Sequence, residues 1–272
     1  MPFPNIDPIA FSLGPLVVRW YALAYLFGIG LGTAYGVMLL ARKDLWWRNR
    51  PPLTGNQFID FAFWAVLGAI LGGRIGYVLF YNPSYFFANP MQILEVWNGG
   101  MSFHGGLLGV VIAMTFFARH KGANILSSWD LLATLAPIGL FLGRIANFIN
   151  GELYGRVTTL PWGVVFPGGG DLPRHPSQLY EAALEGLILF IILRVATHVF
   201  YSLRRPGLVA GLFGIGYGLS RILVEQVRLP DVQIGYLYAN WLTLGMVLTL
   251  PVLIGGMILV AISLRQPSDP QK

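Results

Sequence analysis

Arg144 and Asn147 stand three residues apart in GLFLGRIANFINGELYG (139–155), so on a helix they share one face. Gly151 and Gly155 flank Glu152 and mark the helix end. An arginine and an asparagine on one buried face can hold a phosphate through several donors. The same arginine can instead pair with Glu152 or Asp130 and simply pin two helices together. A second arginine, Arg221, lies in YGLSRILVEQVR (217–228), where Tyr217, Arg221 and Glu225 are spaced by four and align on one face. Here the alternative is a pair, Arg221 with Glu225, that neutralises itself within one helix. His104 sits in GGMSFHGGLLG (99–109), with Gly105, Gly106 and Gly109 leaving room for a bulky group to approach. A histidine there can serve as a base near neutral pH or as a satisfied structural residue. Glu181 and Glu185, four apart, are available as partners for the arginines.

These residues are set in a chain that reads as a membrane protein. Of 272 residues, 55% are hydrophobic and only 11% charged, with a mean hydropathy of +0.63. Soluble domains carry about 25% charged residues, so a soluble globule and a disordered chain are both excluded. A charge inside an apolar span costs several kcal/mol unless paired or solvated, which makes Arg74, Arg144 and Arg221 functional candidates by default. Arg74 is flanked by Gly68, Gly72 and Gly76, two overlapping small-residue steps, and its expected role is packing with a structural ion pair. Arg194 is placed to snorkel, and Tyr21, after Arg19 and Trp20, reads as an interfacial aromatic.

Apolar runs at 20–41, 58–81, 101–118, 131–149, 177–199, 207–227 and 240–264 predict seven helices, the fifth with the least hydropathic support. Arg42, Lys43, Arg48, Arg50, Arg119, Lys121, Arg204, Arg205, Arg265 and Lys272 fall on one side of such a bundle. Arg19, Arg156, Arg174 and Arg228 fall on the other, and the 82–100 loop has no cation. By the inside-positive bias the N-terminus is expected outside and the C-terminus inside. The whole chain, 1–272, then forms one integral membrane domain with a small outside loop region at about 150–176. His104, Arg144 and Arg221 share the outer half of their helices. The start, MPFPNIDPIAF, lacks the basic region and cleavage site of a secretory signal, so the first span is expected to be retained.

Other chemistries find little support. Cysteine is absent, which excludes disulfides, thiolate metal sites and a cysteine nucleophile. The four histidines have no ligand spacing, so no metal is expected. GIGLGTAYG (28–36) follows no strand, and PGGGD (167–171) lacks the lysine and hydroxyl of a phosphate loop, so no nucleotide cofactor is expected. The net charge of +6 matches topology rather than a nucleic-acid footprint. A transporter should show a repeat or paired broken helices, and neither is visible; a non-catalytic assembly protein would need only the glycine-rich packing.

GRIANFINGELYGR (143–156) resembles the signature of bacterial prolipoprotein diacylglyceryl transferases. RWYALAYL (19–26), GGRIGYVLFYNP (72–83), GGMSFHGGLLG (99–109), RHPSQLYEAALEG (174–186) and GYGLSRILVEQVRLPD (216–231) match further blocks of that family, in order and over nearly the whole chain. The 156–174 loop is compact, where some family members carry a longer outside insertion.

The resemblance implies an enzyme of the inner membrane, working towards the outer leaflet with no cofactor. Its substrates would be phosphatidylglycerol and the signal peptide of a preprolipoprotein with its lipobox cysteine. The diacylglyceryl group would pass to the cysteine thiol as a thioether, releasing glycerol phosphate, in the first step of lipoprotein maturation. By the same resemblance Arg144 and Arg221 would bind and stabilise the departing phosphate, and His104 would be the base or a positioning residue for the thiol. Tyr21, Asn147, Glu152, Gly155, Tyr217 and Glu225 match positions that shape the site. A chain without cysteine cannot carry the thioether itself, which favours direct transfer.

Overall fold

A computed structural model describes residues 1–4, 6–14, 16–230 and 234–266. Lys272 and the end of the 216–231 block lie outside these residues. The long uncharged runs form helices because a backbone in an apolar medium must satisfy its own hydrogen bonds. Helix α1 is Trp20–Ala41, α2 Gly55–Phe80, α3 Phe103–His120 and α4 Ile125–Ile149. The fifth helical run, α5, covers 177–198 as Ser177–Glu181, a π-helical segment Ala182–Ile188, and Leu189–His198. Helix α6 is Leu208–Glu225 and α7 is Leu244–Arg265. Six of these, all but α5, are each long and apolar enough to cross a membrane. The interrupted α5 run carries Glu181 and Glu185, both fully buried.

The described residues are mostly helical, as expected of an all-α protein, with two short β-hairpins besides. Ile9–Leu13 (β1) pairs antiparallel with Leu16–Arg19 (β2), and Tyr236–Tyr238 (β3) with Leu242–Thr243 (β4). These hairpins lead into α1 and α7, where chain leaving the helical bundle pairs with itself.

Side chains set several helix starts. Thr54 and Gln57 form a reciprocal capping box at α2. Ser102, Asn124 and Thr243 accept backbone N–H bonds at the starts of α3, α4 and α7. At the far end of α4, Gly151 takes φ +66° just past the cap, a turn that a Cβ would strain. Helices α2 and α3 cross backbone to backbone: a Cβ on Gly72 would collide with the Gly105 carbonyl, and one on Gly109 with that of Gly68.

Asp130 does not serve the arginines. It is fully buried in α4 and accepts from the backbone N–H groups of Gly207 and Ala210, each at 2.7 Å, so that it caps α6. Fourteen residues, about 21 Å of helix, separate it from Arg144. Near that end Arg204 donates to the Asp44 carbonyl at 2.9–3.0 Å, tying the connection after α5 to that after α1. At the other end Pro2 bridges Val165, Gly155 bridges Arg228, and Val157 and Val164 bridge Arg174. The 150–176 loop, the first residues and the chain after α6 therefore form one cap over the bundle.

Arg74 also departs from expectation. Among the described residues it makes, instead of an ion pair, five hydrogen bonds to carbonyls of the 82–102 connection: Gln92 (2.6 Å), Ile93 (2.9 Å), Glu95 (3.2 Å), Gly99 (2.6 Å) and Gly100 (3.1 Å).

Candidate active site

The packing of α4, α5 and α6 brings charges together in the bundle interior beneath the cap. Arg144 from α4 places Nε 3.2 Å from Glu181 Oε2 and Nη2 3.4 Å from Glu185 Oε2. Arg221 from α6 contacts the other oxygen of Glu181 through Nη1 and reaches Glu225 Oε2 at 3.1 Å through Nη2. Arg228, just beyond α6, puts Nη1 3.7 Å from Glu181 and 4.0 Å from Glu225. Thr243 donates to the remaining Glu225 oxygen at 2.8 Å. Three guanidiniums thus meet three carboxylates in a pocket of low exposure, with Glu181 touching all three arginines.

Such burial is tolerable only because each ion is paired. The pairing is nevertheless incomplete. Tyr217 Oη, Glu185 Oε1 and Arg221 Nε are buried with no hydrogen-bond partner among the described residues. Native structures leave few such atoms, and here they gather around the paired arginines and glutamates.

The other expected residues surround this cluster to different degrees. Tyr217, fully buried, stacks on Phe213 and lies 5.6 Å, ring to ring, from Phe103. The Arg144 guanidinium stands 6.0 Å from the same Phe103 ring. His104, next to Phe103, places Nε2 3.1 Å from Thr249 Oγ1 on α7. Asn147 donates to Glu152 at 2.8 Å, so Glu152 is held by Asn147 and not by Arg144. Gly155 sits where a Cβ would come within 2.5 Å of the Val227 carbonyl and 2.7 Å of His175 Cβ, so only glycine lets the cap close there. The Tyr21 hydroxyl lies 3.0 Å from that of Tyr25 on its own helix, and Tyr25 in turn is within electrostatic reach of Arg144 and Glu152.

The sequence reading missed Arg228, which it counted as an outer-loop charge, although Arg228 stands seven residues, two helical turns, after Arg221. It left Glu181 and Glu185 only as available partners, and Thr249 gave no signal. In the cap outside the spans, burial and the charge of Arg156 hold His175 below the usual histidine range.

Six helices able to cross a membrane, with three arginines and three glutamates paired in the bundle interior, define a class: a polytopic membrane protein with a buried charged cluster. The model of the family "Prolipoprotein diacylglyceryl transferase" matches residues 8–262. A phosphatidylglycerol–prolipoprotein diacylglyceryl transferase of Agrobacterium fabrum is 56% identical over 257 residues, 94% of this chain and 92% of the relative. Its namesake in Rhizobium leguminosarum bv. trifolii is 56% identical over 258 residues, 94% and 92% of the two chains. That of Brucella anthropi is 55% identical over 255 residues, 94% and 91%. The chain belongs to the prolipoprotein diacylglyceryl transferase family.

Proposed function

We propose that this chain transfers the diacylglyceryl group of phosphatidylglycerol to the thiol of a lipobox cysteine, with the buried arginine cluster as the seat of the reaction. The observation that carries this is the convergence of Arg144 and Arg221, from two helices, on Glu181, amid buried polar atoms that lack protein partners. A phosphodiester anion suits such a pocket, because guanidiniums offer it paired, charge-assisted hydrogen bonds. The thiol sulfur attacks the glycerol carbon, the carbon–oxygen bond to phosphorus breaks, and the electron pair leaves on the phosphate oxygen. Negative charge grows on that phosphate, and fixed positive groups in a site shielded from water stabilise it. The attacking group is the thiolate, and His104 takes the thiol proton. Asn147, Glu152 and Gly155 hold the cap against the cluster, Tyr217 and Glu225 shape its walls, and Tyr21 joins the substrate-binding side through its hydroxyl contact with Tyr25.

The chain crosses the inner membrane seven times in this reading, with the site towards the outer leaflet. The 177–198 run, at about 1.5 Å per residue, is long enough to be the additional span, its glutamates neutralised by the arginines. An odd number of crossings puts the termini on opposite sides, and the cation-rich connections assign the C-terminus to the inside. A C-terminal reporter active only outside would overturn that orientation. The activity is tested by reconstituting the protein in vesicles containing phosphatidylglycerol and adding a lipobox peptide. The expected products are a thioether-linked diacylglyceryl peptide and glycerol phosphate; a folded preparation that yields neither overturns the proposal.

A further inference from the structure

We infer that Thr249 is a positioning residue that fixes the proton of neutral His104 on Nε2 and so keeps Nδ1 as the bare, proton-accepting nitrogen. The inference rests on the assignment of His104 as base made above and deepens it. It follows from counting protons along a short chain of hydrogen bonds. Thr249 is fully buried on α7, and its hydroxyl donates to the Gly245 carbonyl one turn earlier, at 2.7 Å. A hydroxyl has one proton to give. With that proton committed, the contact of 3.1 Å to His104 Nε2 needs the ring to donate, so the proton of a neutral imidazole sits on Nε2. The other nitrogen, Nδ1, has no hydrogen-bond partner among the described residues.

Gly245 anchors this chain to the arginine cluster. A Cβ on Gly245 would lie 2.8 Å from Glu225 Oε1, so the backbone that receives the Thr249 proton is packed directly against the carboxylate paired with Arg221. His104 is thereby oriented from the same turn of α7 that abuts the phosphate-binding side. During transfer Nδ1 accepts the thiol proton as the carbon–sulfur bond forms and the carbon–oxygen bond breaks. The resulting imidazolium donates from both nitrogens, and Thr249 remains a competent acceptor throughout. The proton then leaves with the glycerol phosphate or to water, restoring the starting tautomer.

Nitrogen-15 spectra of histidine-labelled protein in nanodiscs test the tautomer directly, with His104→Gln identifying the signals. The expected spectrum has Nε2 protonated and Nδ1 bare, unchanged in Thr249→Ser and mixed or reversed in Thr249→Val. Turnover of Thr249→Val should fall roughly tenfold, part of the ~10²–10⁴-fold that a positioned base supplies, with KM for phosphatidylglycerol retained and Thr249→Ser restoring kcat. A proton on Nδ1 in the unaltered protein, or a Thr249→Val spectrum and kcat like those of the unaltered protein, overturns the inference. Near-normal turnover in His104→Gln removes the base assignment itself, while the spectrum still decides what Thr249 does.

Discussion

Arg144 Nε and Glu181 Oε2 stand 3.2 Å apart across the packing of α4 on α5, and the other oxygen of that carboxylate holds Arg221 from α6. The two arginines are therefore not independent charges that happen to share a depth. One carboxylate sets their separation, so in the proposed reaction the guanidiniums would need little reorganisation to receive a phosphate. Preorganisation of this kind makes charge stabilisation effective in a low-dielectric site.

Arg144→Ala and Arg221→Ala should each lower turnover by about 10²–10³-fold, the usual loss on removing one preorganised charge-stabilising donor. Each also breaks a buried pair, which costs about 3–5 kcal/mol of stability. Arg→Lys variants separate the two effects, because they retain the charge but lose the fork geometry. The measurement is single-turnover transfer, with membrane insertion and thermal unfolding followed in parallel. Near-normal turnover in a folded variant would remove that arginine from the mechanism.

Gly155→Ala addresses the cap. The added methyl would meet the Val227 carbonyl at 2.5 Å and His175 Cβ at 2.7 Å, and backbone cannot move aside as a flexible side chain does. The cost should be about 1–3 kcal/mol, the range for overpacking a tight site. Because Gly155 bridges Arg228, displacement there should also shift Arg228 from Glu181 and reduce activity more than the stability loss alone predicts. Thermal unfolding and transfer assays on one preparation compare the two; unchanged values in both would show that the cap yields freely.

Much of this was legible in the chain itself, for reasons that differ by residue. The α1 boundaries coincide with the charge-free run 20–41 because nothing but apolar length determines them. Helix α4 starts six residues before the apolar run 131–149, since Asp130 resembles a boundary in sequence but is buried to cap α6. Arg144 and Arg221 stood out because charge inside an apolar run demands a partner. Arg228 lies past the run and resembles any loop cation until α6 packs it against Glu181. Thr249 is a small polar residue in a helix, and only the arrival of His104 from α3 gives it a role. The β-hairpins escaped because strands of two to five residues carry too short a pattern to read.

Arg74→Ala should loosen the connection between α2 and α3. Five carbonyls lose a charged donor at once. One such bond is worth about 1.5–3 kcal/mol, and carbonyls at the membrane surface recover part of it by hydration. The expected loss is about 3 kcal/mol, with faster chymotryptic cleavage at Phe87, Leu94 or Trp97, all exposed. Arg74→Lys should rescue only in part, because three rotating donors cannot match a planar fork. Cleavage no faster than in the unaltered protein would show that the connection is held by other contacts.

His175 should make the cap sensitive to acid. Its backbone accepts from Gly155 N–H at 2.8 Å and donates to the Arg156 carbonyl at 3.0 Å, while its ring Nδ1 stands 3.3 Å from the Tyr180 hydroxyl. Burial, then the charge of Arg156, holds the ring below the ordinary histidine value of 6.5. The unfolded cap therefore binds a proton more readily than the folded one as pH falls. Its stability is full above about 6.5 and declines as pH drops through the unfolded value towards the folded one. Amide hydrogen exchange across 150–176, corrected for intrinsic rates, should show protection falling between pH 7.5 and 5. His175→Gln, which cannot take up that proton, should flatten the dependence. An equally steep fall in that variant would assign the acid response to another group.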